Sequence, residues 1–279
     1  MSIREIICLT VAFARTAAAF GDEAGDGWGR DYYVSFDVSP VFFSLGKATS
    51  KHWNYYCEAD VVQRLSDFGY ALVGWWAQSD IDTPKSDMHR AWIYESDPYV
   101  FYGYRWHWTE GWFLDQRFGM IWVTSPGYHG EYRGVEDHSF REWTYIARLG
   151  NPYVTPTFEI RRVDRLGTYL RLEFSHEFAF DCGVSLTPYL TAYGGNGSWN
   201  ASRFGNLRED RRIGDGLVAL RYGVRLAYAL GAGVSLTADV SGYDVLDSDA
   251  RSQISARRSA GNAQRNDQLI ITTGLAWNW

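Results

Sequence analysis

The segment Asp267–Trp279 reads DQLIITTGLAWNW and alternates almost without interruption. Leu269, Ile271, Thr273, Leu275, Trp277 and Trp279 share one parity, while Gln268, Thr272, Gly274, Ala276 and Asn278 share the other with Ile270. Successive side chains of a β-strand point to opposite faces, so this is a strand with one apolar and one polar face. The pattern recurs upstream. In 217–229, Val218, Leu220, Tyr222, Val224, Leu226 and Tyr228 oppose Ala219, Arg221, Gly223, Arg225 and Ala227. In 168–178, Leu170, Leu172, Phe174 and Phe178 oppose Tyr169, Arg171, Glu173, Ser175 and Glu177.

The same test places strands near 31–45, 53–65, 69–79, 97–108, 112–123, 141–149, 153–163, 168–178, 184–193, 217–229, 233–243 and 267–279. REWTYIARL over 141–149 also suits a short helix. Connections near 66–68, 109–111, 150–152, 181–183 and 231–232 are tight. Those on the other side include the long 80–96, 124–140, 194–216 and 244–266, with short links at 46–52 and 164–167. Short turns on one edge and long loops on the other fit an antiparallel transmembrane barrel of about twelve strands. An even count puts both termini on the short-turn side. No run of apolar residues is long enough for a membrane helix, so a bilayer-spanning chain of this kind must close into a barrel. A soluble β-sandwich also alternates and remains the alternative fold.

Aromatics are 17% of the chain, with 13 Trp and 19 Tyr, more than an ordinary soluble domain uses. On the layout above they form two bands. Trp106, Trp108, Trp112, Phe178, Tyr228, Trp277 and Trp279 fall at the short-turn ends. Phe42, Tyr55, Trp75, Trp122 and Trp143 fall toward the long-loop ends. Rings with one apolar and one wet side collect at membrane interfaces. The net charge of −6 provides no basic field for nucleic acid.

The N-terminus reads as a targeting segment: Arg4, an apolar run Ile6–Ala14, and Ala17-Ala18-Ala19 as a cleavage site, with Arg15 against the pattern. A buried first helix is the competing reading. The expected division is a signal peptide over 1–19, a Gly- and Asp-rich periplasmic tail over 20–30 and a barrel over 31–279. Cys8 leaves with the signal and lacks a lipoprotein context. Cys57 and Cys182 fall near opposite ends of the barrel, so no disulfide is expected.

DQLIITTGLAWNW resembles the C-terminal assembly strand of bacterial outer-membrane proteins, with Ile271, Leu275, Trp277 and Trp279 at the matching positions; Phe is commoner last. The resemblance implies recognition by the barrel-assembly machinery and residence in the bacterial outer membrane, among its lipids and lipopolysaccharide. EWTYIARLGNPYVTPTFEIRRVDRLGTYLRLEFSHEF (142–178) is similar to the paired hairpins of uncharacterised porin-like proteins. That likeness implies architecture, not substrate.

The parity opposite the apolar face gives a candidate lumen lining. Its acids are Asp37, Glu58, Asp60, Asp115, Glu159, Glu173, Glu177 and Asp239. Its bases are Arg64, Arg105, Arg117, Arg148, Arg161, Arg171, Arg221 and Arg225, all Arg and none Lys. One reading is an arginine track for acidic or sugar-acid solutes, since guanidinium pairs bidentately with anions. The other is a neutral ion-pair network bracing the wall, favoured by the equal counts.

Other chemistry is weakly signalled. Asp137-His138-Ser139 is the one tight cluster containing a base and a nucleophile, and nothing else in the sequence fixes its geometry. His52, His89 and His129 fall in loops or at the rim, and His176 has outward parity. Asp244, Asp247 and Asp249, and Asp22, Glu23 and Asp26, lack the spacing of a calcium loop. Asn200 opens an Asn-Ala-Ser sequon. No cofactor or metal is expected. The expected role is passive passage of small hydrophilic solutes. A non-conducting structural or adhesive barrel presenting 194–216 and 244–266 is the second reading, and an outer-membrane hydrolase the third.

Overall fold

The computed structural model describes residues 30–40, 43–44, 47–48, 53–80, 95–124, 139–205, 212–259 and 265–278. Residues 1–29, Phe42 and Trp279 lie outside that range, and with them the targeting segment, all of the expected tail but Arg30, and the last assembly position.

Twelve long strands follow one another: β1 (Arg30–Ser39), β2 (Asn54–Arg64), β3 (Gly69–Asp80), β4 (Glu95–Thr109), β5 (Trp112–Thr124), β6 (Ser139–Gly150), β7 (Thr155–Val163), β8 (Gly167–Ser175), β9 (Val184–Gly195), β10 (Gly216–Gly231), β11 (Val234–Val245) and β12 (Asp267–Asn278). Each pairs antiparallel with its sequence neighbours, and β1 closes on β12 with Tyr33 opposite Asn278 and Val38 opposite Thr273. The result is a closed up-and-down barrel with no free sheet edge along its length. Residues 139–150 are a strand rather than a helix. A small hairpin pairs Phe43–Ser44 with Lys47–Ala48.

The tight connections are built locally. Gly69 donates its N–H to Ser66 Oγ at 2.8 Å, and Asn151 Oδ1 accepts from Tyr153 and Val154 at 2.9 and 3.0 Å. The β10–β11 turn holds Ala232 and Gly233 at φ 50° and 73°, the mirror-image turn geometry that matches strand twist. Pairing of β8 with β9 thins after Ser175 and resumes at Phe178–Ala179. The cause is Pro188: His176 donates to its carbonyl at 3.2 Å, but proline has no N–H to return the bond.

Opposite faces of the wall differ as the alternation requires. Val73, Tyr102, Phe118, Leu172, Phe174, Leu190, Leu236 and Leu269 are exposed on the outside. Trp106, Trp108 and Trp112 lie outside near the short turns, and Trp122 and Trp143 near the opposite rim. No helix among the described residues is long and apolar enough to cross a membrane. The strands cross instead. Leu172 lies mid-strand on the outer face, where a cation would meet hydrocarbon. Leu172→Arg is expected to cost about 2–3 kcal/mol in unfolding from lipid bilayers, read by a urea titration.

Two helices fold over the long-loop end: α1 (Gly197–Phe204), between β9 and β10, and α2 (Ser248–Ser259), between β11 and β12. Asn196 caps α1, accepting from Trp199 N–H at 3.0 Å and Thr168 N–H at 3.1 Å. Asp247 caps α2 through Ala250 N–H at 2.7 Å. Segments 194–216 and 244–266, expected as presented loops, therefore contain helices with buried sides. Trp199, Phe204, Ala250 and Ile254 join Tyr169, Tyr193, Ile213, Val218, Tyr243 and Val245 in a buried apolar cluster.

Candidate functional site: the charged lumen

Pair register carries the inward parity around the barrel without a break. Asp37 faces Tyr56 and Gly274; Glu58 faces Trp76; Arg105 faces Asp115; Asp115 faces Arg148; Glu159 faces Arg171; Arg225 faces Asp239. All sixteen charged candidates thus fall on the interior face or at its rim, with Glu177 just beyond β8 lining an interior cavity. Gly74 and Gly103 make room within this face: a Cβ on Gly103 would collide with the Tyr70 ring, and one on Gly74 with Tyr99 and Asp60.

The arginines do not stand free as a track. Asp115, buried, accepts from Arg105 at 2.5 Å, from Arg117 at 3.2 Å and from Tyr70 Oη at 2.6 Å. Glu159, also buried, is paired with both Arg161 and Arg171, the latter at 3.2 Å, and Arg161 reaches Glu142 at 2.8 Å. Glu173 takes a bidentate clamp from Arg225, both bonds 3.0 Å, plus Thr191 Oγ1 at 3.1 Å. Asp239 accepts from Arg221 at 3.1 Å and Tyr189 Oη at 2.9 Å. The Arg225 guanidinium lies 4.1 Å from the Tyr189 ring centroid. These are the planar, forked contacts to which guanidinium is suited.

The remaining candidates are arranged differently. Glu58 and Asp60 both accept from Tyr99 Oη, the former at 2.8 Å, and Asp37 accepts from Thr237 at 3.3 Å. None of these three acids has an arginine in ion-pair range among the described residues. Arg148 lies over the Phe113 ring at 5.6 Å, and Arg64 is exposed at the short-turn rim; neither pairs with a described carboxylate. The lumen is therefore polarised. A braced arginine–tyrosine wall runs from β4 to β11, and an acidic wall without arginine partners occupies β1 and the upper part of β2.

Two interior cavities meet between those walls. One of 550 Å³ is lined by Tyr33, Asp37 and Tyr56 on one side and by Glu177, Arg221, Arg225 and Asp239 on the other. One of 340 Å³ is lined by Glu58, Glu95, Asp97, Tyr99, Glu142, Arg161, Arg171 and Tyr193, among others. Trp76 and Arg221 line both. The helix cluster stands beyond the second, toward the long-loop end.

Glu95, Asp97, Glu142 and the phenols of Tyr70, Tyr99 and Tyr189 were not among the sequence candidates. Glu142 shares parity with Arg148, and Asp97 and Tyr99 share it with Arg105, so the signal was present. The acidic loop residues have protein partners: Asp247 caps α2, and Asp244 accepts from exposed Tyr222 at 3.0 Å. Asn200 is 1% exposed and donates to Gly214 O at 2.7 Å, which removes its sequon from the surface. Asp137 and His138 lie outside the described residues, as do His52, His89 and His129. His176 stacks edge-on to Phe178 at 4.4 Å near the short-turn end. Cys57 and Cys182 are free thiols.

No family model matches the sequence, and it matches none of the curated proteins. A solved structure shares its architecture. An outer membrane channel from Pseudomonas putida F1 superposes with a TM-score of 0.55 at 10% identity, covering 93% of this chain and 98% of that one. The KdgM porin gives a TM-score of 0.45 at 9% identity over 88% and 98%, and LpxR from Salmonella typhimurium 0.43 at 10% over 88% and 99%. At such identities the likeness is one of fold. The closed barrel and its apolar outer face are those of a bacterial outer-membrane protein.

Proposed function

We propose that this barrel is a narrow passive channel for small hydrophilic solutes, a conduit rather than a catalyst. The observation that carries the reading is the pair of adjoining interior cavities lined from opposing walls by charged and phenolic groups. Barrels of eight strands are just filled by their side chains and those of sixteen or more leave a wide channel, so twelve strands leave room for cavities of this size. Glycines at 74 and 103 let the Tyr99 and Tyr70 rings lie flat against the wall. The arginines between β4 and β11 are largely neutralised by their carboxylates, whereas Asp37, Glu58 and Asp60 face the lumen with no arginine in ion-pair range among the described residues. The ion-pair network thus acts as bracing, and residual selectivity falls to the acidic wall.

The test is single-channel conductance of the refolded barrel in a planar bilayer under a salt gradient. Small steady openings with a cation-biased reversal potential are expected. An anion-biased potential would return control to the arginines. Silence from protein that is inserted and folded would overturn the channel reading. The non-conducting alternative is favoured by one specific observation, the apolar cluster of α1 and α2 across the long-loop end.

A further inference from the structure

On the outer face, near the long-loop rim, two arginines sit side by side. Glu142 and Thr144 face inward from β6 and Glu159, Arg161 and Val163 from β7, so Arg141 and Arg162 point outward, and both are exposed. Trp143 is the register partner of Arg162, and the Asp164 N–H donates to the Arg141 carbonyl at 3.0 Å. Arg141 and Arg162 are thus diagonal neighbours on one surface, at the roughly 7–8 Å Cα spacing of such pairs. Like charges so placed repel unless an anion lies between them. Asp164 is the nearest carboxylate on that face, and it makes no ion pair with either among the described residues. Arg162 spends one bond on Thr168 Oγ1 at 3.2 Å.

Each arginine is flanked by an indole. Trp122 is the cross-strand partner of Arg141, and Trp143 of Arg162. Trp143 stacks on Phe118 with ring centroids 5.9 Å apart. Immediately toward the barrel's middle the surface becomes apolar. Among the residues of the twelve long strands, no other Arg or Lys faces outward in the long-loop half. The opposite side of the barrel presents Asp244 and Asp267 there instead.

We infer that Arg141 and Arg162 form a docking site for the phosphate of an anionic lipid headgroup in the outer leaflet. Guanidinium binds phosphate bidentately. The indoles sit at headgroup depth, and the apolar belt below them receives the acyl chains. That belt is what makes the occupant a lipid: a soluble phosphate would gain nothing from it.

The test is native mass spectrometry of the detergent-folded barrel titrated with diphosphoryl lipid A, with phosphatidylethanolamine as the uncharged-net comparator. Wild type is expected to retain lipid A selectively. The Arg141→Gln/Arg162→Gln double variant is expected to hold it about tenfold more weakly, with phosphatidylethanolamine retention unchanged. The Asp244→Asn/Asp267→Asn control should bind as wild type does. Equal lipid A retention by wild type and the double Gln variant overturns the site, as does wild-type retention no better than for phosphatidylethanolamine. Heat-modifiable migration on a gel reports folding of each variant. Should the double variant not fold, either single Gln variant serves, with an intermediate loss expected. The result is independent of whether the barrel conducts.

Discussion

Glu159→Ala is expected to cost about 3–4 kcal/mol of folding stability, the larger part of it through Arg171. Glu159 is 1% exposed and is held by two guanidinium groups. Removing it leaves Arg161 with Glu142, which already accepts from it at 2.8 Å. Arg171 has no such second carboxylate in ion-pair range among the described residues. Breaking a buried pair from one side strands the other charge, and that desolvated charge dominates the loss. The comparison that isolates this cause is Glu159→Ala/Arg171→Met, which removes the stranded charge along with its partner. It should recover at least half of the lost stability. Urea-induced unfolding of the barrel in lipid vesicles, followed by tryptophan emission, measures both. A double variant no more stable than Glu159→Ala would show that the loss comes from the cavity at residue 159 and not from the orphaned guanidinium. By the same reasoning Arg225→Gln should cost about 3 kcal/mol, because Glu173, its side chain 9% exposed, keeps only Thr191 Oγ1 among the described residues once its clamp is lost.

The wall of this protein was legible because lipid and lumen impose opposite demands on adjacent residues. In β12, Leu269 and Ile271 lie outside and Thr272 and Gly274 inside, and a register slip by one residue would reverse every one of them. The strong alternation of β10 and β8 follows from the same demand. Over 141–149, where the sequence also suits a short helix, cross-strand partners decide the state: Trp143 lies opposite Met120 and Arg162, and local propensity is overridden. The partners of the lumen charges were not legible. Parity tells which side a residue faces but not which strand lies opposite, so Glu142 reaching Arg161, or Tyr99 binding Glu58 and Asp60, appears only once neighbouring registers are fixed. The helices were hidden for another reason. A segment as short as GSWNASRF is not stable as an isolated helix. Asn196 and the packing of Trp199 hold it, and both act through β8, far away in sequence.

Trp199 is the residue on which that packing turns. It is 2% exposed, meets Tyr169 edge-on at 5.6 Å, and rests where Gly167 and Gly195 lack side chains; a Cβ at either would collide with it. Trp199→Ala empties this cradle, and nothing nearby is built to fill it. Large-to-small changes of this kind cost about 3–5 kcal/mol, through lost burial plus the cavity left behind. The β-wall itself keeps its ladder, so the loss should fall on the attachment of α1. Asn196 still caps the helix, but its hold on Thr168 then works against the freedom of an unpacked turn. The consequence for passage is the sharper test. The cluster around Trp199 stands at the long-loop end of the two lumen cavities, and loosening it should raise single-channel conductance severalfold, with longer and noisier openings. Stability and conductance are measured on the same refolded protein. If stability falls while conductance stays as in the wild type, the conducting path does not run past α1, and the narrowest point belongs to the charged walls around Arg221 and Trp76.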